Sequence, residues 1–340
     1  MSKKYLFYIG QNYSFGILRP IQERILANGD SAAWFVEGHD VDDTLFEAGE
    51  QVLTSIEQAV DYDAYAVFVP GNVVPDFIPG IKVQVFHGLE YKKKGHFIIR
   101  GFFDVYCTHG PITTNKFNEL NQKHKYFYVK ETGWPKLDPY FALKNNSQEN
   151  KSTKMKVLYA PTFSPRLTSA PALFERFQEI SQNGDYQVTI KFHPKMDPEL
   201  IAQYKTIASD HLVISTEDNI LPLILSNDVL VSDTSSVIDE ALLMGKRVIT
   251  FNNRQPQNAI VNITNPDSLA SSLDSILTNE QLGSDIKSYI AQVHPYQDGN
   301  SATRILDAVD EVAKQGLKRK PLNLVRKLKL RKKFNYFTFF

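Results

Sequence analysis

Cysteine is almost missing. Cys107 stands alone in 340 residues, so no disulfide can form within the chain, which fits a reducing compartment. Net charge is missing too, with 38 basic against 38 acidic residues, and that excludes a globally basic nucleic-acid binder. No apolar run is long enough to span a bilayer. The first five residues, MSKKY, lead straight into an apolar run without a signal-peptide pattern. These absences together predict a cytoplasmic protein. No GxxxxGK[ST] phosphate loop and no GxSxG elbow occurs, and Gly10 lacks the glycine cluster of a dinucleotide fingerprint. The eight histidines are scattered, without the close His/Cys/carboxylate spacing of a metal centre.

The charge that is present is unevenly placed. Residues 317–340 hold nine basic side chains and no acidic one, leaving 29 basic against 38 acidic elsewhere. An acidic body therefore ends in a basic, aromatic tail. Apolar runs at 5–10, 32–36, 64–69, 82–86 and 105–108 read as buried strands, with a helix over 15–28. Residues 144–154 (KNNSQENKSTK) are almost devoid of apolar side chains and read as a linker. The pattern then restarts, with strands expected at 156–159, 187–192, 212–215, 229–232 and 247–251. Helices are expected at 172–182, 220–226, 237–244, 268–277 and 301–314. Strands alternating with helices predict parallel βαβ units. The expected fold is α/β: a Rossmann-like acceptor-side domain over 1–145, a Rossmann-like nucleotide-donor domain over 155–316, and the tail over 317–340. Ligands of such sheets bind beyond the carboxyl ends of the strands.

Three polar clusters follow predicted strands. In the first, residues 229–232 run into Asp233-Thr234-Ser235-Ser236, and a helix follows at once. Free N–H groups and the dipole at such a helix start favour an anion such as a nucleotide diphosphate, with Asp239 or Glu240 placed to accept from ribose hydroxyls. The same serines would serve equally well as a helix cap. The second is Phe86-His87-Gly88 and the lysines after it. His87 has the pKa range of a general base for an acceptor hydroxyl, and Gly88 and Lys92 could meet acceptor or phosphate. A hydrogen-bonded loop histidine beside a solvated charge run is the alternative. The third is Lys191-Phe192-His193-Pro194, where His193 could stabilise charge developing on a phosphate or be a structural residue before proline. Two strand-end histidines, one in each half, favour the catalytic reading. The residues name no particular cofactor; a divalent cation held with the phosphates by Asp233 or Asp239 is the one option.

Six segments carry a resemblance. HGLEYKK at 87–93, TGWPKLD at 132–138, YAPTF at 159–163, KFHP at 191–194, SDTSSVIDEALLMGKRVITF at 232–251 and DGNSATR at 298–304 together resemble the CDP-glycerol glycerophosphotransferases, the teichoic-acid primases and polymerases with a GT-B-like fold. The likeness implies two sheets facing across a cleft. It also implies transfer of glycerol phosphate, or a related polyol phosphate, from a CDP-linked donor to a hydroxyl of a cell-surface glycan or lipid-linked saccharide, with CMP leaving. By the same resemblance His87 is the base and His193 steadies the donor phosphates. Lys191, Thr234, Ser235 and Ser236 hold the diphosphate, and Thr162 and Arg166 are outer donor contacts. Lys136 and Lys191 stand where arginine is usual, which replaces a bidentate fork with a point charge. Glu240 before Ala-Leu-Leu is similar to UDP-N-acetylglucosamine 2-epimerases, so a UDP-sugar glycosyltransferase or epimerase is the runner-up, and a non-catalytic polysaccharide-assembly factor the third reading. The tail, with basic and apolar residues alternating over 322–330 and aromatics after them, predicts contact with the anionic inner face of a cell membrane or packing on the first domain. No nucleic-acid partner is expected.

Overall fold

The computed structural model describes residues 2–89, 91, 94–146, 154–217 and 219–338. It contains two compact units. Unit 1 combines Met1–Ala142 with Val293–Phe340, and unit 2 is the continuous stretch Leu143–Gln292.

Unit 1 is built on seven strands: β1 (Lys4–Ile9), β2 (Ser31–Val36), β3 (Gln51–Leu53), β4 (Ala66–Val69), β5 (Ile81–Gln84), β6 (Val105–Thr108) and β7 (Tyr128–Glu131). All pair in parallel, in the order β3-β2-β1-β4-β5-β6-β7. β1, β4, β5 and β6 are almost wholly buried, as a parallel sheet covered on both faces requires. Alternation divides their side chains. Leu6, Tyr8, Phe35, Val67 and Val69 join one core cluster, while Phe7, Trp34 and Phe68 pack ring to ring on the other face. The order reverses between β1 and β4, so the switch point of this sheet lies at their carboxyl ends.

The residues from Val293 onward correct the expected boundary. The sequence pattern places 293–316 in the second domain, yet they close unit 1. His294 accepts the Trp134 N–H at 2.8 Å. Asp138 accepts the N–H groups of Ser301 and Ala302 at 3.1 and 2.7 Å, capping the helix Ser301–Gln315 from outside. Lys3 pairs with Asp310 at 2.6 Å and Lys130 with Glu311 at 2.5 Å. The tail packs on the same unit. Lys320 meets the buried Asp104 at 2.8 Å, and Tyr336 stacks on Phe77 at 4.6 Å. Its alternating stretch is a helix, Leu324–Lys333.

Unit 2 holds β8 (Met155–Tyr159), β9 (Tyr186–Ile190), β10 (Leu212–Ile214), β11 (Val229–Ser232), β12 (Arg247–Phe251) and β13 (Val261–Ile263). These six are also parallel, in the order β10-β9-β8-β11-β12-β13. This sheet reverses between β8 and β11. The predicted linker overlaps the end of the helix Asp138–Asn146; its residues 147–153 lie outside the described residues.

Candidate functional site

In unit 2 the switch point coincides with the predicted donor cluster. The loop after β8 carries Thr162 and Arg166, the loop after β11 carries Thr234, Ser235 and Ser236, and the loop after β9 carries Lys191 and His193. Neighbouring strands lie about 5 Å apart, so these three strand ends form one polar edge.

Asp233 organises that edge. It is fully buried, and its carboxylate accepts from Thr162 N–H, Ser169 N–H, Ser169 Oγ and Thr234 N–H at 2.7 to 3.1 Å. Four donors satisfy both oxygens and tie the β8 loop to the β11 loop. Asn253 adds a bond to the Asp233 carbonyl at 2.7 Å, and Ser232 Oγ donates to the Ala160 carbonyl at 2.7 Å. This corrects the cation option for Asp233, whose lone pairs are already committed to hydrogen bonds and buried away from any ion. Among the described residues no group of three or more His, Cys, Asp or Glu side chains gathers as metal ligands would.

The hydroxyl and cationic donor residues stand around this anchor, open to a ligand. Ser236 is exposed, has helical backbone angles and makes no capping bond; Ser235 Oγ accepts the Val237 N–H at a long 3.4 Å. The cap alternative is therefore only weakly realised. Arg166 is exposed, and among the described residues neither it nor Lys191 has an acidic partner. The two acids are already engaged or enclosed. Asp239 accepts a bond from Tyr289 at 2.7 Å, and Glu240 is buried in the helix Val237–Leu243. His193 is exposed and its ring packs on Phe163 at 4.4 Å. Its Nδ1 accepts the Lys195 N–H at 3.0 Å, so the neutral ring carries its proton on Nε2. Burial first, then Lys195 and Lys191, lower its pKa, which favours that neutral donor form.

In unit 1, His87 stands beyond β5. Phe86 before it has φ 57°, a left-handed bend rare for a bulky side chain that turns the chain out of the strand. His87 Nδ1 lies 3.4 Å from the Pro70 carbonyl, at the end of β4. A carbonyl can only accept, so Nδ1 holds the proton and Nε2 keeps its lone pair. The rings of Tyr13 and His96 flank it at 5.6 and 4.7 Å. Gly88 helps line a small cavity with Leu89, His96, His109 and Thr113. Lys92 lies outside the described residues.

Two organising residues escape a reading of the sequence. His109 is fully buried, its Nε2 is unpartnered within the described residues, and its pKa is pushed down to about 3 by burial and then by His294. The signal is present: Thr108-His109-Gly110 repeats the strand-His-Gly pattern of residues 86–88. Ser169, which shares Asp233 with Thr162, lies in a loop without periodicity and gives no signal.

A family model described as CDP-Glycerol:Poly(glycerophosphate) glycerophosphotransferase matches residues 104–311. The stretch includes every predicted donor residue but begins after His87, Gly88 and Lys92. A teichoic acid glycerol-phosphate primase of Bacillus subtilis (strain 168) is 25% identical over 234 residues, 63% of this chain and 61% of that protein. The chain thus spans less than two thirds of that relative's length. Among solved structures, a putative UDP-N-acetylglucosamine 2-epimerase from Listeria monocytogenes aligns with TM-score 0.65 at 15% identity, over 93% of this chain and 98% of that one. The wall teichoic acid polymerase TagF aligns with TM-score 0.62 at 16% identity, over 92% and 89%. At such identities the likeness is one of fold.

Proposed function

Because the chain belongs to the CDP-glycerol:poly(glycerophosphate) glycerophosphotransferase family, we propose that it moves glycerol phosphate, or a related polyol phosphate, from a CDP-linked donor to a hydroxyl of a cell-surface glycan or lipid-linked saccharide and releases CMP. The observation that carries this reading is the switch point of unit 2. There the carboxylate of Asp233 binds two loops together through four donors, while the side chains of Arg166, Thr162, Thr234 and Ser236 on those loops face a ligand without an acidic or capping partner among the described residues. Polar groups without protein partners at the carboxyl ends of a reversing parallel sheet fit a nucleotide diphosphate.

The acceptor oxygen attacks the phosphorus bearing the polyol, in line with the CMP oxygen. The new P–O bond forms as the bond to CMP breaks. His87 Nε2 takes the acceptor proton, which the Pro70 contact leaves it free to do. His193 Nε2–H donates to a phosphate oxygen. Ser235, Ser236, Thr234 and Lys191 hold the diphosphate, with Thr162 and Arg166 behind them, and the ribose is met by Asp239, whose carboxylate has acceptor sites beyond its bond to Tyr289, or by the more enclosed Glu240. Lys92 and Gly88 are assigned to the acceptor side. Catalysis of this kind rests mainly on positioning and charge stabilisation.

The test is CMP release from CDP-glycerol in the presence of a glycan or phosphorylated acceptor. His87→Ala is expected to slow turnover about a thousandfold with donor binding kept. Full activity of that variant removes the base assignment. Turnover of a UDP-sugar, with none of CDP-polyols, selects the epimerase or glycosyltransferase alternative, and binding without turnover of any donor selects the assembly factor.

A further inference from the structure

The switch point of unit 1 presents an exposed aromatic ring beside His87. Tyr13 follows β1 across Gly10, Gln11 and Asn12 and begins the helix Tyr13–Ala27. It is 46% exposed, and its ring lies 5.6 Å from the His87 ring at a tilt of 37°. The buried side of the same helix is supplied by Phe15, Ile17, Leu18 and Ile21, so the Tyr13 ring is not spent on the core.

Two amide side chains stand at the same strand ends with their donors unspent. Asn12 Oδ1 accepts the Asp42 N–H at 2.9 Å, which turns its Nδ2 the other way. After β4, Gln84 Nε2 donates to the Gly71 carbonyl at 3.0 Å. A carbonyl can only accept, which identifies that nitrogen. The Asn72 atom 2.7 Å from it must then be the oxygen. Gln84 is buried and so holds Asn72 in place. The Nδ2 groups of Asn12 and Asn72 are left without a protein partner among the described residues.

An aromatic face with oriented amide donors beside it suits a sugar ring. The C–H face of the sugar lies on the aromatic ring, and its hydroxyl oxygens accept from the amides. Charge argues the same way. Neither 10–14 (GQNYS) nor 70–74 (PGNVV) holds a cation. The loop after β2 adds the carboxylates of Asp40, which accepts from Gln11 at 3.0 Å, and of Asp42, and these repel a phosphate chain.

We propose that Tyr13, Asn12 and Asn72 form a subsite for a neutral saccharide ring and set one of its hydroxyls beside His87 Nε2. A sugar, rather than the end of a poly(glycerol phosphate) chain, is then the acceptor. The inference rests on the transferase reading for the reaction and adds to it the class of acceptor, while the subsite itself is tested by binding alone.

Saturation-transfer NMR of the full chain with a panel of neutral mono- and disaccharide methyl glycosides needs neither donor nor turnover. The parent is expected to transfer saturation to the ring C–H protons of at least one glycoside and not to a glycerol phosphate trimer. Tyr13→Phe should keep that signal. Tyr13→Leu should weaken affinity about tenfold, with its thermal melt and His87 imidazole signals matching the parent. With the bound glycoside as acceptor and CDP-glycerol as donor, Tyr13→Leu should raise the acceptor KM by the same factor while the donor KM holds. Equal binding by Tyr13→Leu, a parent that binds no glycoside, or a parent that prefers the glycerol phosphate trimer overturns the subsite. Saccharide binding that depends on Tyr13, in a protein that releases no CMP from CDP-glycerol, overturns the transferase reading and leaves the subsite standing.

Discussion

Asp233 and His109 show how far apart chemical identity and role can lie. Each is a titratable side chain at a strand end, and each is buried. Asp233 is satisfied by four donors, whereas His109 is held neutral by the cost of burying charge. His294, buried against Trp134, is likewise depressed to about 4. In the unfolded chain both rings titrate near 6.5. Between these values the unfolded chain holds protons that the folded chain does not, so stability is whole above about pH 6.5 and falls as the pH drops toward 4. From pH 7 to pH 5 each ring should cost about 2 kcal/mol of unfolding free energy. Urea unfolding at the two values measures the loss, and His109→Gln should remove its share of the slope. Imidazole NMR signals of His109 and His294 that protonate between pH 7 and 5 would sink the assignment.

At the scale of elements, the return of the chain to unit 1 depends on one glycine. Gly133 has φ 83°, and a Cβ there would lie 2.5 Å from Ser301 Oγ and 3.1 Å from His294 Nε2. Both neighbours belong to the segment that closes unit 1, and neither can yield without breaking the bonds to Asp138 and Trp134. Gly133→Ala therefore adds backbone strain to a collision and should destabilise by about 3 kcal/mol, with faster hydrogen exchange across residues 301–315. Gly16 is the control. It lies inside the helix Tyr13–Ala27, and a Cβ there would meet nothing within 4 Å; its alanine variant should gain about 0.5–1 kcal/mol. The elements legible in the sequence are those whose local pattern matches their burial. The strands at 105–108, 229–232 and 247–251 and the helix at 220–226 have the bounds that the sequence pattern predicts. β3 and β13 escape it because each has three residues at or near a sheet edge, and β7 because its face is only half-buried. The helix Leu324–Lys333 reads as alternation because Lys327 and Arg331 face inward beside Leu330 while Leu324, Val325 and Leu328 face out.

At the scale of the molecule, the two units differ in how they are encoded. Both halves and the strand-end clusters are legible in the sequence, because alternation of strand and helix is local. Residues 293–316 are not, because pairing partners some 160 residues apart, such as Trp134 with His294 and Asp138 with Ser301, leave no local trace. Unit 2 is continuous, and its sheet, the Asp233 network and every predicted donor residue lie within residues 143–292. Unit 1 needs both ends of the chain: without 293–338 the Trp134 N–H loses its acceptor, Asp104 loses Lys320, and Phe77 loses Tyr336 and Phe334. Expressed alone, residues 143–292 should therefore unfold in one cooperative urea transition with the circular dichroism of an α/β domain, whereas residues 1–142 should show none. The isolated unit 2 should also bind CDP-glycerol in a calorimeter while releasing no CMP, since His87 is absent from it. Cooperative unfolding without any binding of CDP-glycerol would detach the donor site from this unit and leave only its fold assigned.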